Sequence, residues 1–391
     1  MEYNNRSSGQ RVIVSVLGST GSIGRQALDV IASRSDLFTL FGIAAGRNRD
    51  LLLDQVRRFR PKVVATLDPI DPSMLPDDVT LLCGEDAATE LAAMDEADVV
   101  VNGISGLPAL KPLLAALKKQ KRVALANKES IVCGHDLIDE TTARYGGAVI
   151  PVDSEQSALF QCLACGRYEE VEKLWLTASG GPFWQYDKEQ LKSVTLRDAL
   201  RHPTWSMGRK ITVDSASLFN KGLEILEASY LFHMPAGQIG VLIHPQSIVH
   251  SFVEFRDRTC IANLSCPDMR LPIQYAMTYP ERTVTPCERL SLAEVGTLTF
   301  HEADLNRFDA LRLAYDAWYA GGTMTSVYNA ANEYAVELFA QEKLRFSDIA
   351  SCVEEAMLRH SPRPVTEEAI LEAYEDAARS VNRFARRYTE G

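Results

Sequence analysis

The run Val12-Ile-Val-Ser-Val-Leu17 leads directly into Gly18-Ser-Thr-Gly21-Ser-Ile-Gly24, and a helical pattern carrying Gln26, Ala27, Leu28 and Val30 follows. Strand, glycine turn and helix in that order restrict the fold sharply. Glycine lets the backbone approach a bulky anion, and the helix start turns unpaired N–H groups and the positive end of its dipole toward it. The arrangement suits a pyrophosphate. The spacing is GxxGxxG, one residue longer before the second glycine than GxGxxG, and a glycine triplet by itself also fits a plain tight turn. Its place between a strand and a helix near the N-terminus favours the nucleotide.

The rest of the first 150 residues repeat the alternation. Runs at 12–17, 38–44, 62–66, 79–83, 97–101 and 122–126 read as strands, and 22–33, 50–59, 85–93 and 108–119 as helices. This predicts an α/β domain over 1–150, a Rossmann-like parallel sheet with helices on both faces. The second strand bears on the cofactor. An NAD site ordinarily has an acid at this strand's end for the ribose 2′-hydroxyl. Here the chain reads Ala45-Gly46-Arg47-Asn48-Arg49, with no acid before Asp50. Arg47 can meet a 2′-phosphate, so NADP is expected over NAD; a solvated surface charge is the alternative.

From about residue 150 the pattern changes. Strand patterns at 147–152, 173–178, 239–244, 247–255 and 259–265 are interleaved with longer helices, the last two as a hairpin turning near Asp257-Arg258. This predicts a central α+β catalytic domain over 151–280. A Pro- and Thr-rich linker over 281–304 and a C-terminal α-helical bundle over 305–391 complete the expected division.

Composition narrows the partners. The chain has 391 residues and a net charge of −11, so no basic footprint points to nucleic acid or an anionic membrane. No apolar run reaches the roughly eighteen residues of a membrane span. The first eleven residues are polar, without the apolar core of a secretion signal, so a cytoplasmic protein is expected. The eight cysteines are scattered and read as reduced thiols. Cys162-x-x-Cys165 has redox-like spacing, but its helical pattern and the lack of a second pair favour core packing.

The chemistry concentrates in the middle of the chain. Asp153-Ser154-Glu155 follows the apolar run Ala148–Val152. If the strand continues, the two carboxylates face the same way and repel unless a cation lies between them. A divalent metal is one reading, an acidic surface loop the other. Lys128 follows the strand at 122–126, where α/β sheets place ligands; a helix-starting surface lysine is equally consistent. Ser179-Gly180-Gly181 after the strand at 173–178 fits an anion nest or an ordinary loop. His202-Pro-Thr-Trp205-Ser-Met207-Gly208 reads as a lid that excludes water or as a satellite core. From Val213 the pattern is helical, and Asn220, Lys221 and Glu224 share one face.

These stretches resemble the 1-deoxy-D-xylulose 5-phosphate reductoisomerase family of the non-mevalonate isoprenoid pathway. The matching segments are Leu17–Gly24, Ala124–Ser130, Pro151–Glu155, Thr177–Phe183, His202–Gly208, Asn220–Glu224, His244–His250 and Pro267–Arg270. They run in order along nearly the whole chain. The resemblance implies an NADPH- and metal-dependent enzyme. It rearranges the skeleton of 1-deoxy-D-xylulose 5-phosphate, by a retro-aldol and aldol sequence, and reduces the product to 2-C-methyl-D-erythritol 4-phosphate.

It also implies roles. Asp153, Glu155 and Glu224 look like the ligands of one Mg²⁺ or Mn²⁺, and Lys128 like the ammonium that approaches the substrate oxygens. Ser154 would hold a substrate hydroxyl. Ser179, Ser215, Asn220 and Lys221 resemble the phosphate-binding set. His202, Trp205 and Met207 resemble the closing flap. Gly18, Ser19, Thr20, Gly21, Ser22, Ile23, Gly46, Arg47, Asn48, Asn127 and Glu129 would contact NADPH, with Gly208 and Met269 near the nicotinamide. A homodimer is the family's usual assembly. Two departures stand out. Gln156 occupies a position that is His in many members, so no acid–base role is expected there. Asn102–Ala109 also differs from the commoner version. The rival readings are another NADP-dependent dehydrogenase, such as a homoserine type, and a non-catalytic NADP-binding regulator. Neither accounts for three carboxylates beside a phosphate set.

Overall fold

The computed structural model describes residues 11–201, 208–305 and 307–389. The chain forms two compact units. The first takes the residues up to Ser130, Leu137–Ser154 and Asp268–Glu288; the second takes Ile131–Asp136, Glu155–Pro267 and the chain from Arg289 onward.

The first unit is built on seven strands: β1 (Val12–Leu17), β2 (Phe38–Ala45), β3 (Val63–Thr66), β4 (Thr80–Cys83), β5 (Val99–Asn102), β6 (Arg122–Leu125) and β7 (Ala148–Pro151). Between them run α1 (Ser22–Ser33), α2 (Arg49–Phe59), α3 (Ala87–Ala93), α4 (Leu110–Lys118) and α5 (Lys128–Tyr145). All neighbouring strands are parallel, in the order β4-β3-β2-β1-β5-β6-β7. Val14, Val16, Val63, Val64 and Val99–Val101 are buried, the near-continuous apolar run that a sheet covered on both faces requires. The strand order reverses between β1 and β5, which creates the switch point where such sheets bind ligands.

The second unit holds a mixed sheet of β8 (Val171–Ala178), β9 (Ile239–Ile243), β10 (Val249–Phe255), β11 (Cys260–Leu264) and β12 (His301–Glu302) in the order β11-β10-β8-β9-β12. Its helices begin with α6 (Ser154–Leu163), α7 (Lys188–Lys192), α8 (Leu196–Ala199), α9 (Arg209–Ser217) and α10 (Phe219–Leu231). Helix α11 (Arg270–Thr278) belongs to the first unit. The remainder are α12 (Leu292–Val295), α13 (Asp309–Ala320), α14 (Met324–Ala340), α15 (Ile349–Arg359) and α16 (Glu367–Thr389). One core joins Leu174 and Leu176 of β8, Leu223 and Leu226 of α10, Val327 and Tyr328 of α14, Val353 of α15 and Val381 of α16. No helix among the described residues is long and apolar enough to cross a membrane.

Three local features differ from the sequence expectation. The Asp-Ser-Glu triplet does not continue a strand: β7 stops at Pro151 and α6 starts at Ser154. The helix expected from Val213 is two helices, α9 and α10, broken at Leu218 with φ +63°. Ser217 folds its hydroxyl back onto the Val213 carbonyl at 2.9 Å, and the buried Leu218 keeps the apolar pattern unbroken through the kink. The 281–304 stretch is mostly irregular, but 281–288 folds with the first unit and His301–Glu302 pairs with β9. Gln274 Nε2 holds the start of that stretch by donating to Thr283 Oγ1 at 2.8 Å and to the Val284 carbonyl at 2.9 Å.

Candidate active site

The glycine turn sits at the switch point. Gly18 has φ +71°, and a Cβ there would lie 2.6 Å from the Gly103 carbonyl oxygen at the end of β5. Gly24 is tighter still, with an added Cβ 2.2 Å from the Gly18 oxygen. The helix start is thus packed directly on the turn, while Gly21 and Ser22 are exposed and Thr20 and Ile23 half-buried. Ser19 is fully buried; its hydroxyl donates to Gln55 Oε1 and its carbonyl accepts from Gln55 Nε2, each at 2.8 Å. Its side chain therefore locks α2 to the turn, a partner invisible in the motif because Gln55 is far away in sequence. Gly46, Arg47 and Asn48 are exposed after β2, and Asn48 Oδ1 caps α2 through the Leu51 N–H at 3.3 Å. Asn127 caps α5 through the Ser130 N–H at 2.7 Å, and its amide donates to Gly106 O at 3.1 Å and Glu129 Oε2 at 2.9 Å. Met269 immediately precedes α11, and Gly208 is exposed before α9.

Two of the three carboxylates are placed by one helix start, and Glu224 stands further along α10. Asp153 directly precedes α6, and Glu155 lies in its first turn, so the helix rather than strand alternation sets them side by side. Asp153, Glu155 and Glu224 each offer an oxygen, and these lie within 4.8 Å of one another. At an effective dielectric of about 20, two unit charges that far apart repel by roughly 3–4 kcal/mol. Cations answer the charge. Lys128, the first residue of α5, pairs with Asp153 at 2.7 Å, both side chains largely buried. Lys221 pairs with Glu155 at 2.7 Å and also with Glu224. Burial of the Lys221 ammonium pulls its pKa down, but the two glutamates more than reverse this, and the net direction is up. Asn220 Nδ2 donates to Glu224 Oε1. All-oxygen donors at this spacing, one of them fully buried Glu224, fit a hard divalent cation such as Mg²⁺ or Mn²⁺.

Ser179, Ser215, Asn220 and Lys221 lie in the second unit. Ser179 Oγ accepts from the Gly181 N–H at 3.3 Å, and Gly181 lies so close to α9 that a Cβ would be 2.8 Å from the Ser215 oxygen. The Ser-Gly-Gly loop and the last turn of α9 are therefore in contact, and Lys221 and Asn220 follow within one turn. Ser154 opens α6. His202, Trp205 and Met207 lie outside the described residues. Sequence reasoning assigned Gln156 no acid–base role; its Nε2 donates to the Glu224 carbonyl at 3.0 Å. It also passed over His250 of β10, whose Nε2 meets Ser265 Oγ at 2.8 Å and whose burial lowers its pKa.

A doubly wound sheet with a close-packed glycine turn, together with a hard-cation carboxylate cluster, defines an α/β enzyme of the dinucleotide-fold class. The family described as 1-deoxy-D-xylulose 5-phosphate reductoisomerase matches residues 14–135, and its C-terminal domain descriptions match 149–232 and 264–381. The chain belongs to the 1-deoxy-D-xylulose 5-phosphate reductoisomerase family. It is 49% identical over 352 residues to the reductoisomerase of Chlorobium chlorochromatii, covering 89% of this chain and 92% of the relative. It is 48% identical over 366 residues to that of Chlorobaculum tepidum, covering 92% and 96%. Among solved structures, the Zymomonas mobilis reductoisomerase in complex with NADPH superposes with a TM-score of 0.90 at 37% identity, covering 96% of this chain and 99% of that one. A reductoisomerase in complex with NADPH, fosmidomycin and magnesium gives 0.89 at 34% identity, covering 97% and 100%.

Proposed function

We propose that this protein converts 1-deoxy-D-xylulose 5-phosphate to 2-C-methyl-D-erythritol 4-phosphate with NADPH and a divalent metal, a step of isoprenoid precursor biosynthesis. The observation that carries this reading is the cluster of Asp153, Glu155 and Glu224 with its two lysines in a chain of this family. Asp153, Glu155 and Glu224 would hold Mg²⁺ or Mn²⁺, which would supply Lewis acidity to the substrate's carbonyl and neighbouring hydroxyl. NADPH supplies the hydride. The chain's own groups bind and orient. Lys128 directs its ammonium at the substrate oxygens, and Ser154 holds a substrate hydroxyl. Ser179, Ser215, Asn220 and Lys221 hold the phosphate, which keeps the substrate in register while its skeleton is rearranged. His202, Trp205 and Met207 close over it and exclude water.

NADPH is contacted by Gly18, Ser19, Thr20, Gly21, Ser22, Ile23, Gly46, Arg47, Asn48, Asn127 and Glu129, with Gly208 and Met269 toward the nicotinamide. For Ser19 the contact is through backbone, since its hydroxyl is engaged by Gln55. In functional terms residues 1–150 bind NADPH, 151–280 carry metal and substrate, 281–304 connect and 305–391 form the helical domain. The working form is a cytoplasmic homodimer, which light scattering tests.

Incubation with 1-deoxy-D-xylulose 5-phosphate, NADPH and Mn²⁺ should consume the reduced-cofactor absorbance. A chelator should stop the reaction and added Mn²⁺ restore it. Steady absorbance with metal and substrate both present would remove this reading, and equal efficiency with NADH would remove the assignment of Arg47.

A further inference from the structure

We propose that Gln156 is a positioning residue for the carboxylate pair Glu155 and Glu224, its side-chain amide pinning the turn of α10 that carries Glu224 to the turn of α6 that carries Glu155. Gln156 is fully buried. Its Nε2 donates across to the Glu224 backbone carbonyl at 3.0 Å. Its Oε1 accepts no hydrogen bond among the described residues. A buried amide satisfied at one end stabilises a fold less than an apolar side chain of the same volume, so stability alone does not account for an amide here. Its one hydrogen bond among the described residues falls on the backbone of Glu224, while Gln156 itself directly follows Glu155 in α6.

Side-chain partners already hold the Glu224 carboxylate: Lys221 and Asn220 meet its two oxygens. Gln156 holds the backbone from which that carboxylate springs. A hard cation tolerates only a few tenths of an ångström in its oxygen distances, so the separation of the two turns sets how well both glutamates can reach one ion. An amide does not titrate, so the tie is the same across the pH range in which the carboxylates are ionised.

The inference rests on the metal reading proposed above, and the test separates the two. Mn²⁺ alone is titrated into the full chain, free Mn²⁺ being followed by its electron paramagnetic resonance signal, with NADPH binding measured in parallel. Gln156→Met keeps the volume and removes the donor. Gln156→Asn keeps the amide on a side chain one methylene too short to span the gap, and serves if the Met variant does not fold. Either is expected to weaken Mn²⁺ binding by roughly ten- to a hundredfold, the usual effect of losing a group that orients a ligand, with NADPH affinity unchanged. In turnover the half-saturating Mn²⁺ concentration should rise by a larger factor than kcat falls, a split that general loosening of the core would not produce. Parent-like Mn²⁺ affinity in a folded variant overturns the inference. Absence of Mn²⁺ binding by the parent overturns instead the metal reading beneath it.

Discussion

At the scale of single residues, the decisive side chain is Glu224. It is fully buried, bonded by Asn220 and Lys221, and grouped with Asp153 and Glu155. Glu224→Gln keeps the shape and removes one negative charge from the cluster. Turnover should fall by at least about a hundredfold, because several kcal/mol of charge stabilisation depend on the cation proposed for this cluster. NADPH binding, followed by fluorescence, should persist; undiminished turnover would take Glu224 out of the metal site. Gly24 tests the glycine turn of the first unit. A methyl group there would meet the Gly18 oxygen at 2.2 Å and Ser19 Cα at 2.5 Å, both backbone atoms that have nowhere to move. Gly24→Ala is expected to destabilise the chain by about 1–3 kcal/mol, as overpacking does, and to weaken NADPH binding by displacing the turn. Denaturant midpoints and NADPH titration check the pair of effects together, and a variant that matches the parent in both would show that the turn does not depend on this close approach.

At the scale of elements, a buried relay joins three helices at the end of the chain. Thr323 before α14 lies 2.8 Å from His360 Nε2, and His360 Nδ1 lies 3.3 Å from Asp376 of α16. Asp376 can only accept, so Nδ1 carries the proton and Nε2 accepts from the Thr323 hydroxyl, which itself accepts from the Arg363 N–H at 3.1 Å. Burial pushes the His360 pKa below its usual value; Asp376 opposes this and Arg363 adds to it. Since the folded value lies below the unfolded one, about 6.5, the unfolded chain takes up the proton first. Stability is therefore complete above that pH and declines as pH falls toward the folded value. The Tm should drop between about pH 7.5 and about pH 5.5. It should drop less in His360→Gln, since His244 and His250, whose pKa values burial also lowers, remain to titrate. Equal slopes in parent and variant would show that His360 is not part of the linkage.

Elements differ in how openly the sequence announces them. The strands of the first unit are legible because most are apolar and buried, as β3 and β5 are throughout, and closed by a glycine, an asparagine cap or a turn. The break at Leu218 is not, because the residue is apolar and buried on either side of the kink. The acids and lysines of the site could be named from motifs. The pairing of Lys221 with Glu155, the Gln55 latch on Ser19 and the tie from Gln156 to Glu224 are contacts over 36 residues or more. No local pattern encodes them.

At the scale of the whole molecule, the C-terminal helices share one core with the segment that carries Glu155 and Glu224. Leu311, Leu313, Met324, Val327, Phe339 and Val353, all beyond residue 304, pack in the cluster that also holds Leu174, Leu176, Phe219 and Leu226. Burying such side chains contributes about 1.5–3 kcal/mol each, so removing these six forfeits about 9–18 kcal/mol, as much as the roughly 5–15 kcal/mol by which a domain is stable. The carboxylates of Glu155 and Glu224 stand on α6 and α10, and α10 loses its support from α13 and α14. A chain ending at residue 304 should therefore lose the cooperative thermal transition of the second unit and its Mn²⁺ binding together, rather than behave as an active enzyme trimmed of a tail. Calorimetry and Mn²⁺ titration of the shortened chain beside the full one decide the matter. Retention of both would mean that the segment before residue 305 closes its own core, and that the helices after residue 304 serve some purpose other than holding Glu155 and Glu224 in place.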